Sequence, residues 1–402
     1  MYFITKNEYE CSGCTACVNI CAHDAIKMKE NSEGFVFPVR DQNKCVDCRL
    51  CERVCPFEHP VYKNSHPLVY AAYDRMERGG SSSGGLFYTI ASHVIRRGGI
   101  VFGSVYDENL KVKHVCARTL QEVQAMRGSK YVQSDLGSVF KNVRNELKKG
   151  TLVYFTGVGC QVAGLYAYLH KDYENLITSD IVCHGVPSQI LFDIHLKYLN
   201  NKYNSKVKQY SFRDSRYWLI REKAILVNGK QKYEYDGNMS PYLYAFGLGY
   251  TYRYSCFNCK FATVPRQGDI SLADFWGIGE TAPSMDTSKG VSLVLVNNEK
   301  GEKVWNEVKS RLVFKRSTLE AAAKYNPNVV KPTKEPEFRK KFFEVLEQDG
   351  YGKMAKTCLV CPDNMRNKSI KRTMMLRHIR IYQPYAYLKH LAKTILVALK
   401  IK

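Results

Sequence analysis

The chain has 402 residues, 45% of them hydrophobic, enough apolar side chain to fill the cores of two or three domains. Sixty Lys and Arg against 38 Asp and Glu give a net charge of +22, and 15 cysteines follow a start, MYFITKNEYE, without the basic and apolar segments of an export signal. The expectation is a cytoplasmic protein: a disulfide framework is excluded in that reducing setting, and no run reaches the 18 apolar residues of a membrane span. A basic surface attracts nucleic acid, anionic membrane and acidic protein alike, but no RNA-binding signature or zinc-finger spacing supports nucleic acid, and none is expected as a partner.

The first predicted elements are two cysteine runs. Cys11, Cys14, Cys17 and Cys21 are followed by Cys45, Cys48, Cys51 and Cys55, and the spacing C-x2-C-x2-C-x3-C is the same in both. This is the spacing of bacterial two-cluster ferredoxins, in which three cysteines of one run hold a 4Fe-4S cluster and the fourth crosses to the other. Cluster one takes Cys11, Cys14, Cys17 and Cys55; cluster two takes Cys45, Cys48, Cys51 and Cys21. Zinc closes with four ligands in two C-x2-C pairs and gives no reason for a third cysteine at x2 and a fourth at x3. Ala22 replaces the proline of the pattern, which loosens a turn without removing a ligand.

Residues 58–67, EHPVYKNSHP, read as the linker into a larger domain. There, strand-like LVYAAYD, IVFGSVYDE, TLVYFTG, LITSDIV, DISLADFWGI and VSLVLVNNEKG alternate with helix-like LFYTIASHVIRRGG, VFKNVRNELKKG, ILFDIHLKYLNNKY and EKVWNEVKSRL, and AILVNGKQKYEYD reads as a hairpin. The whole is α+β: a bacterial-type dicluster ferredoxin domain over 1–60, a larger mixed α/β domain over 61–330, and a helical basic extension over 331–402.

Cys160 and Cys183 each directly follow a strand-like run. If those strands are parallel neighbours, both cysteines lie at one sheet edge, where open α/β sheets place their sites. With Cys256 and Cys259 of YSCFNCKF they make four thiols, the count of a third cluster. The alternative is that Cys160 and Cys183 are buried apolar residues, a common fate of free cysteine. Cys116 reads as packing in strand-like KHVCAR, and Cys358 and Cys361 as unligated thiols.

The stretches SSSGGLFYTI (81–90), GSKYVQS (128–134), GVGCQ (157–161), CHGVPS (183–188) and YSCFNCKFATVPRQGDISLADFWGI (254–278) resemble, in this order, the beta subunits of coenzyme F420-reducing hydrogenases and dehydrogenases. The resemblance implies a flavoprotein with FAD beside an iron–sulfur cluster, and it favours the third cluster on Cys160, Cys183, Cys256 and Cys259. Val158 and Gly159 depart from the threonine and proline usual before that cysteine. Members with a doubled ferredoxin front resemble the branch found with surface-polysaccharide genes, so use of F420 itself does not carry over.

A flavin suits the chemistry, because clusters move single electrons and a flavin trades in one or two. Ser83, Gly84 and Gly85 at a helix start are the candidate phosphate site, a plain capped helix being the alternative. Ser129, Lys130 and Tyr131 offer a hydroxyl, a cation and a ring to flavin or substrate, against a solvated turn; Gly290 and Ser292 are weaker candidates. Asp269 and Asp274 are assigned hydrogen bonds that fix the fold, and His184 reads as structural or as a proton relay.

In the tail, Arg366, Lys368, Lys371, Arg372, Arg377 and Arg380 precede Pro384, and Leu388, Leu391, Ala392, Ile395 and Leu399 recur at helical spacing. Such a helix docks on its own domain or a partner, or lies on an anionic membrane face. The expected partners are a ferredoxin-like donor, or a partner oxidoreductase or transferase. The leading reading is an enzyme acting on an organic substrate; the alternative is an electron relay that feeds a separate enzyme.

Overall fold

The computed structural model describes residues 2–60, 66–214, 219–234 and 240–359, with Leu388, Leu391, Ala392, Ile395, Leu396 and Leu399 of the tail. Residues 61–65 of the expected linker, Cys361, the basic run Arg366 to Arg380 and Pro384 lie outside the described residues.

In the N-terminal part each cysteine run ends in a short helix, Ala16–Ile20 or Leu50–Arg53. Between them β1 (Ile26–Glu30) and β2 (Val36–Arg40) form an antiparallel hairpin. Its turn is made by Asn31, whose side-chain oxygen accepts from the N–H groups of Glu33 and Phe35 at 3.2 and 2.9 Å.

The larger part is built on an eight-stranded sheet in the order β13-β3-β12-β11-β7-β6-β4-β5. The strands are β3 (Leu68–Asp74), β4 (Ile100–Tyr106), β5 (Val112–Ala117), β6 (Val153–Val158), β7 (Leu176–Ile181), β11 (Ile270–Asp274), β12 (Ser292–Val296) and β13 (Leu312–Arg316). β4, β6, β7 and β11 are parallel neighbours. β3 runs the same way, because it pairs antiparallel to β12, which pairs antiparallel to β11. Five strand ends therefore share one edge. All five side chains of β12 are buried, as expected of a strand covered on both faces.

A second layer holds the sheet β10-β9-β8, with β8 at Val207–Asp214, β9 at Leu219–Leu226 and β10 at Gln231–Glu234. It shares a core with the helices Gln189–Tyr203, Pro241–Gly247 and Arg339–Thr357, through Leu191, Phe192, Phe212, Tyr242, Phe342 and Met354. The start of the expected C-terminal extension is thus part of this core rather than an appendage. Leu388, Leu391, Ile395 and Leu399 are exposed. Among the described residues no helix is long and apolar enough to cross a membrane.

Two fully buried arginines fasten the N-terminal part to the rest. Arg253 donates to the carbonyls of Cys11 and Val36 at 2.6 and 2.8 Å, and Arg339 donates to Glu33 and to the carbonyl of Tyr252. Each such charge-assisted bond holds a loop carbonyl or carboxylate that would otherwise be desolvated without a partner.

Candidate functional site: three cysteine sets and a cavity

The two cysteine runs fold alike. Gly13 and Thr15 in the first, and Asp47 and Arg49 in the second, take positive φ of 68°, 62°, 51° and 58° at matching positions. Three of these are not glycine, so the turns hold local strain of the kind seen at functional sites. The left-handed turns wrap each loop around a point. Cys11, Cys14, Cys17 and Cys55 line one small pocket, together with Cys51. Cys21, Cys45, Cys48 and Cys51 line another. Cys55 thus sits with the first run and Cys21 with the second.

Cys160 opens the helix Gly159–Leu169 directly after β6, and Cys183 lies two residues beyond β7, its parallel neighbour. The turn carrying Cys256 and Cys259 brings their thiols to the same place. Burial pushes the Cys160 thiol well above the ordinary range, and the neighbouring Cys259, Cys183 and Cys256 push it the same way. Burial likewise raises Cys14 and Cys256 to about 12. Thiols in such surroundings ionise only when a cationic centre accepts them.

Backbone N–H groups already turn toward several sulfurs: from Ala16 to Cys14, from Phe57 and Glu58 to Cys55, from Gly185 to Cys183, and from Phe261 and Ala262 to Cys259. Those bonds favour the thiolate form. Among the described residues no group of three or more His, Cys, Asp or Glu converges on a single metal ion. One zinc with 2.3 Å bonds needs sulfurs about 3.8 Å apart, whereas a four-iron core holds its thiolates further out. The spacing of the two ferredoxin runs, with a third cysteine at x2 and a fourth at x3, fits four-iron clusters.

The three sets lie in series. Cys51 borders both ferredoxin pockets. Cys55 of the first pocket packs with Cys160 and Cys259 on one apolar knot, Phe57, Ala163 and Phe261. Helix Gly159–Leu169 runs so close that a β-carbon on Gly164 would stand 3.0 Å from Sγ of Cys14.

Beyond Cys160 and Cys183 opens a cavity of about 880 Å³ along the shared strand-end edge, at the large end of the range for small-molecule sites. Ser83, Gly85, Ser129, Lys130, Tyr131 and Ser292 line it. Ser83 stands just before the helix Leu86–Arg96, and its Oγ is buried without a hydrogen-bond partner among the described residues. Gly85 turns left-handed, with φ 89°. Gly84 does not line the cavity. A β-carbon there would lie 2.3 Å from the Ala72 carbonyl oxygen, and its N–H donates to Ser292 Oγ at 3.0 Å, so it lets the helix start press against β3 and β12. Gly290 is also outside the lining; its carbonyl accepts from Arg78 at 3.4 Å.

Ser129 N–H donates to Ser82 Oγ at 2.9 Å, joining the two loops. Lys130 Nζ donates to the carbonyls of Met126, Arg127 and Gly128, and burial lowers its pKa to about 7. The Tyr131 ring stacks on Phe246 with centroids 4.5 Å apart.

Residues 150–322 match the family model for the C terminus of the coenzyme F420 hydrogenase/dehydrogenase beta subunit, and residues 10–59 match the 4Fe-4S dicluster domain. Residues 150–322 are thus similar to the C terminus of that beta subunit, behind a dicluster ferredoxin-type front over residues 10–59. Curated relatives described as archaeal-type glutamate synthase (NADPH), from Thermotoga sp. strain RQ2 and Thermotoga maritima, are 33% identical over 57 residues, 14% of this chain and 11% of theirs. The chain thus spans about a tenth of the length of those relatives. A solved structure of the F420-reducing NiFe hydrogenase complex from Methanosarcina barkeri is 18% identical, with TM-score 0.47, over 72% of this chain and 95% of that one.

Several residues lining the cavity carried no local signal. Arg213 leaves the second layer to donate to Asp274 at 2.7 Å, the Tyr131 hydroxyl at 3.2 Å and the Ser82 carbonyl at 2.9 Å. Burial opposes the Arg213 charge, and the Asp274 carboxylate more than restores it. Arg127 ties Glu77 and Ser81 together at 3.0 and 3.1 Å. His114 bonds Ser134 Oγ at 2.8 Å and the Thr156 carbonyl at 2.9 Å, and burial lowers its pKa to about 4, so its ring is neutral. Asp274 thus faces the cavity, while Asp269 accepts from the N–H and hydroxyl of Thr178 at 2.7 and 2.9 Å and knits β7 to β11. His184 lines the cavity beside Cys183.

Proposed function

We propose that the chain is an iron–sulfur flavoprotein oxidoreductase. It passes electrons between a ferredoxin-like donor, three 4Fe-4S clusters and FAD, and so reduces or oxidises an organic substrate. The observation that carries this reading is that one cavity is lined both by Cys160 and Cys183 and by Ser83 of the helix start. Cys11, Cys14, Cys17 and Cys55 hold the first cluster, Cys21, Cys45, Cys48 and Cys51 the second, and Cys160, Cys183, Cys256 and Cys259 the third.

The partnerless Ser83 hydroxyl and the free N–H groups of the helix Leu86–Arg96 suit the FAD diphosphate. Ser129 and Tyr131 border the rest of the cofactor, and Gly84 and Ser292 hold the helix start in register from behind. When bound, the flavin exchanges single electrons with clusters and electron pairs with substrate. The Arg213–Asp274 pair presents a fixed, net-neutral polar wall, and the neutral His114 braces the Ser134 loop. The ferredoxin domain ends near residue 60, the flavin and cluster domain near 330, and the remainder is the extension. Work on surface polysaccharide precursors in the cytoplasm, at the membrane face, is supported by the branch that the motifs resemble.

The test is anaerobic reconstitution with iron, sulfide and FAD, followed by reduction with dithionite. The flavin band should bleach together with the cluster absorbance, and a candidate substrate should then reoxidise the protein without any added partner. Bleaching with no reoxidation by any small molecule would favour the relay alternative. Failure to bind flavin would overturn the flavoprotein reading.

A further inference from the structure

The two ferredoxin loops are twins in backbone and opposites in surroundings. The first loop is covered: Ser12, Thr15 and Ala16 are 8%, 7% and 0% exposed. The Ser12 carbonyl accepts from Gln133 at 3.0 Å, the Cys11 carbonyl from Arg253, and Cys14 abuts Gly164. Through those contacts the first loop meets the larger domain. At the matching positions the second loop has Val46, Arg49 and Leu50. Val46 and Leu50 are 59% and 37% exposed, and Cys48 between them is exposed as well.

One face of this pseudo-symmetric domain is thus packed against the larger part of the same chain, and its twin offers larger apolar residues to water. Exposed Lys44, Arg49 and Arg53 surround it. Of the nearby carboxylates, Glu52 meets Arg40 at 3.1 Å, the exposed Asp47 meets it at 3.8 Å, and Asp41 is exposed, so the four cations Arg40, Lys44, Arg49 and Arg53 outnumber these three carboxylates by one. A small apolar centre with a cationic rim suits an acidic protein, steered by charge and seated by the apolar contact.

Resting on the electron-transfer reading above, we propose that the second ferredoxin loop is the docking surface for a small acidic iron–sulfur protein, which exchanges electrons with the centre on Cys21, Cys45, Cys48 and Cys51. The step is the transfer of one electron: the reduced centre of the partner is oxidised, the centre behind Cys48 is reduced, and no bond forms or breaks. Two such encounters supply the pair that a two-electron substrate needs. The series arrangement makes this the outermost of the three sets, because the first set is enclosed between it and the Phe57–Ala163–Phe261 knot.

The experiment uses the reconstituted full chain, with an acidic two-cluster ferredoxin as the protein donor and dithionite as the small one. The Lys44→Glu, Arg53→Glu double variant reverses two rim charges without touching a cysteine. Stopped-flow reduction by ferredoxin at low ionic strength should slow at least tenfold in the variant and should slow in the wild type as salt is added. Reduction by dithionite and iron content should match the wild type. A ferredoxin rate unchanged in the variant, with full iron content, would overturn the docking surface while leaving the electron-transfer reading intact. Wild-type protein whose iron dithionite cannot reduce would overturn both.

Discussion

Replacing Asp274 with leucine removes the carboxylate that the Arg213 guanidinium meets at 2.7 Å. The two side chains are 3% and 14% exposed, so water does not substitute for the lost partner. Removing one member of a buried pair costs about 3–5 kcal/mol. Arg213 keeps the Ser82 carbonyl at 2.9 Å and the Tyr131 hydroxyl at 3.2 Å, which places the expected cost near the lower end, about 3 kcal/mol. At about 2 °C per kcal/mol for a domain of this size, the unfolding midpoint should fall by about 6 °C. Arg213→Met combined with Asp274→Leu removes both charges, and the double variant should return to within about 1 kcal/mol of wild type. Denaturant unfolding of the four proteins at one pH gives the coupling energy directly. Single and double losses that simply add, or an Asp274→Leu cost below about 0.5 kcal/mol, would refute the claim that this pair is the braced wall of the cavity.

Further outcomes concern the other parts of the site. Cys160→Ser should lose about four irons while the ferredoxin signals persist in low-temperature paramagnetic spectra; unchanged iron in a folded variant would mean that Cys160 is a packed thiol. Gly84→Ala drives a methyl into the backbone of Ala72 and Ser292, so it should cost about 1–3 kcal/mol and lower the flavin-to-iron ratio, because the helix start is displaced while the cysteines are not. His114 titrates near 6.5 in the unfolded chain and at about 4 in the fold. The unfolded state therefore binds more protons between those values, and up to about 3 kcal/mol of stability present above pH 6.5 should be lost as pH falls to 4. His114→Asn should flatten that slope relative to wild type, and an equal slope in both proteins would remove His114 as its source.

What the sequence disclosed was what is local. Ligand spacing in the two runs repeats at fixed offsets, and apolar runs such as LVYAAYD and LITSDIV coincide with β3 and β7. For Cys160 and Cys183 to share an edge, β6 and β7 had only to be parallel neighbours, and they are. The parts that were not legible depend on long-range pairing. Arg213 lies 61 residues from Asp274 on a strand of another sheet, and no local pattern joins them. Residues 331–402 read as a basic extension because of the run from Arg366 to Arg380, yet Phe342, Val345 and Met354 lie in the core of the second layer. Gly84 and Gly85 looked alike in sequence; only the contact with the Ala72 carbonyl separates a packing glycine from a turn glycine.

The most direct test of three clusters wired to a flavin is the composition of anaerobically purified, full-length protein. Three sets of four cysteines and one cavity predict about twelve irons, twelve acid-labile sulfides and one flavin per chain. About eight irons with eight sulfides would contradict the third cluster on Cys160, Cys183, Cys256 and Cys259, and twelve irons with no flavin would contradict the cavity's assignment.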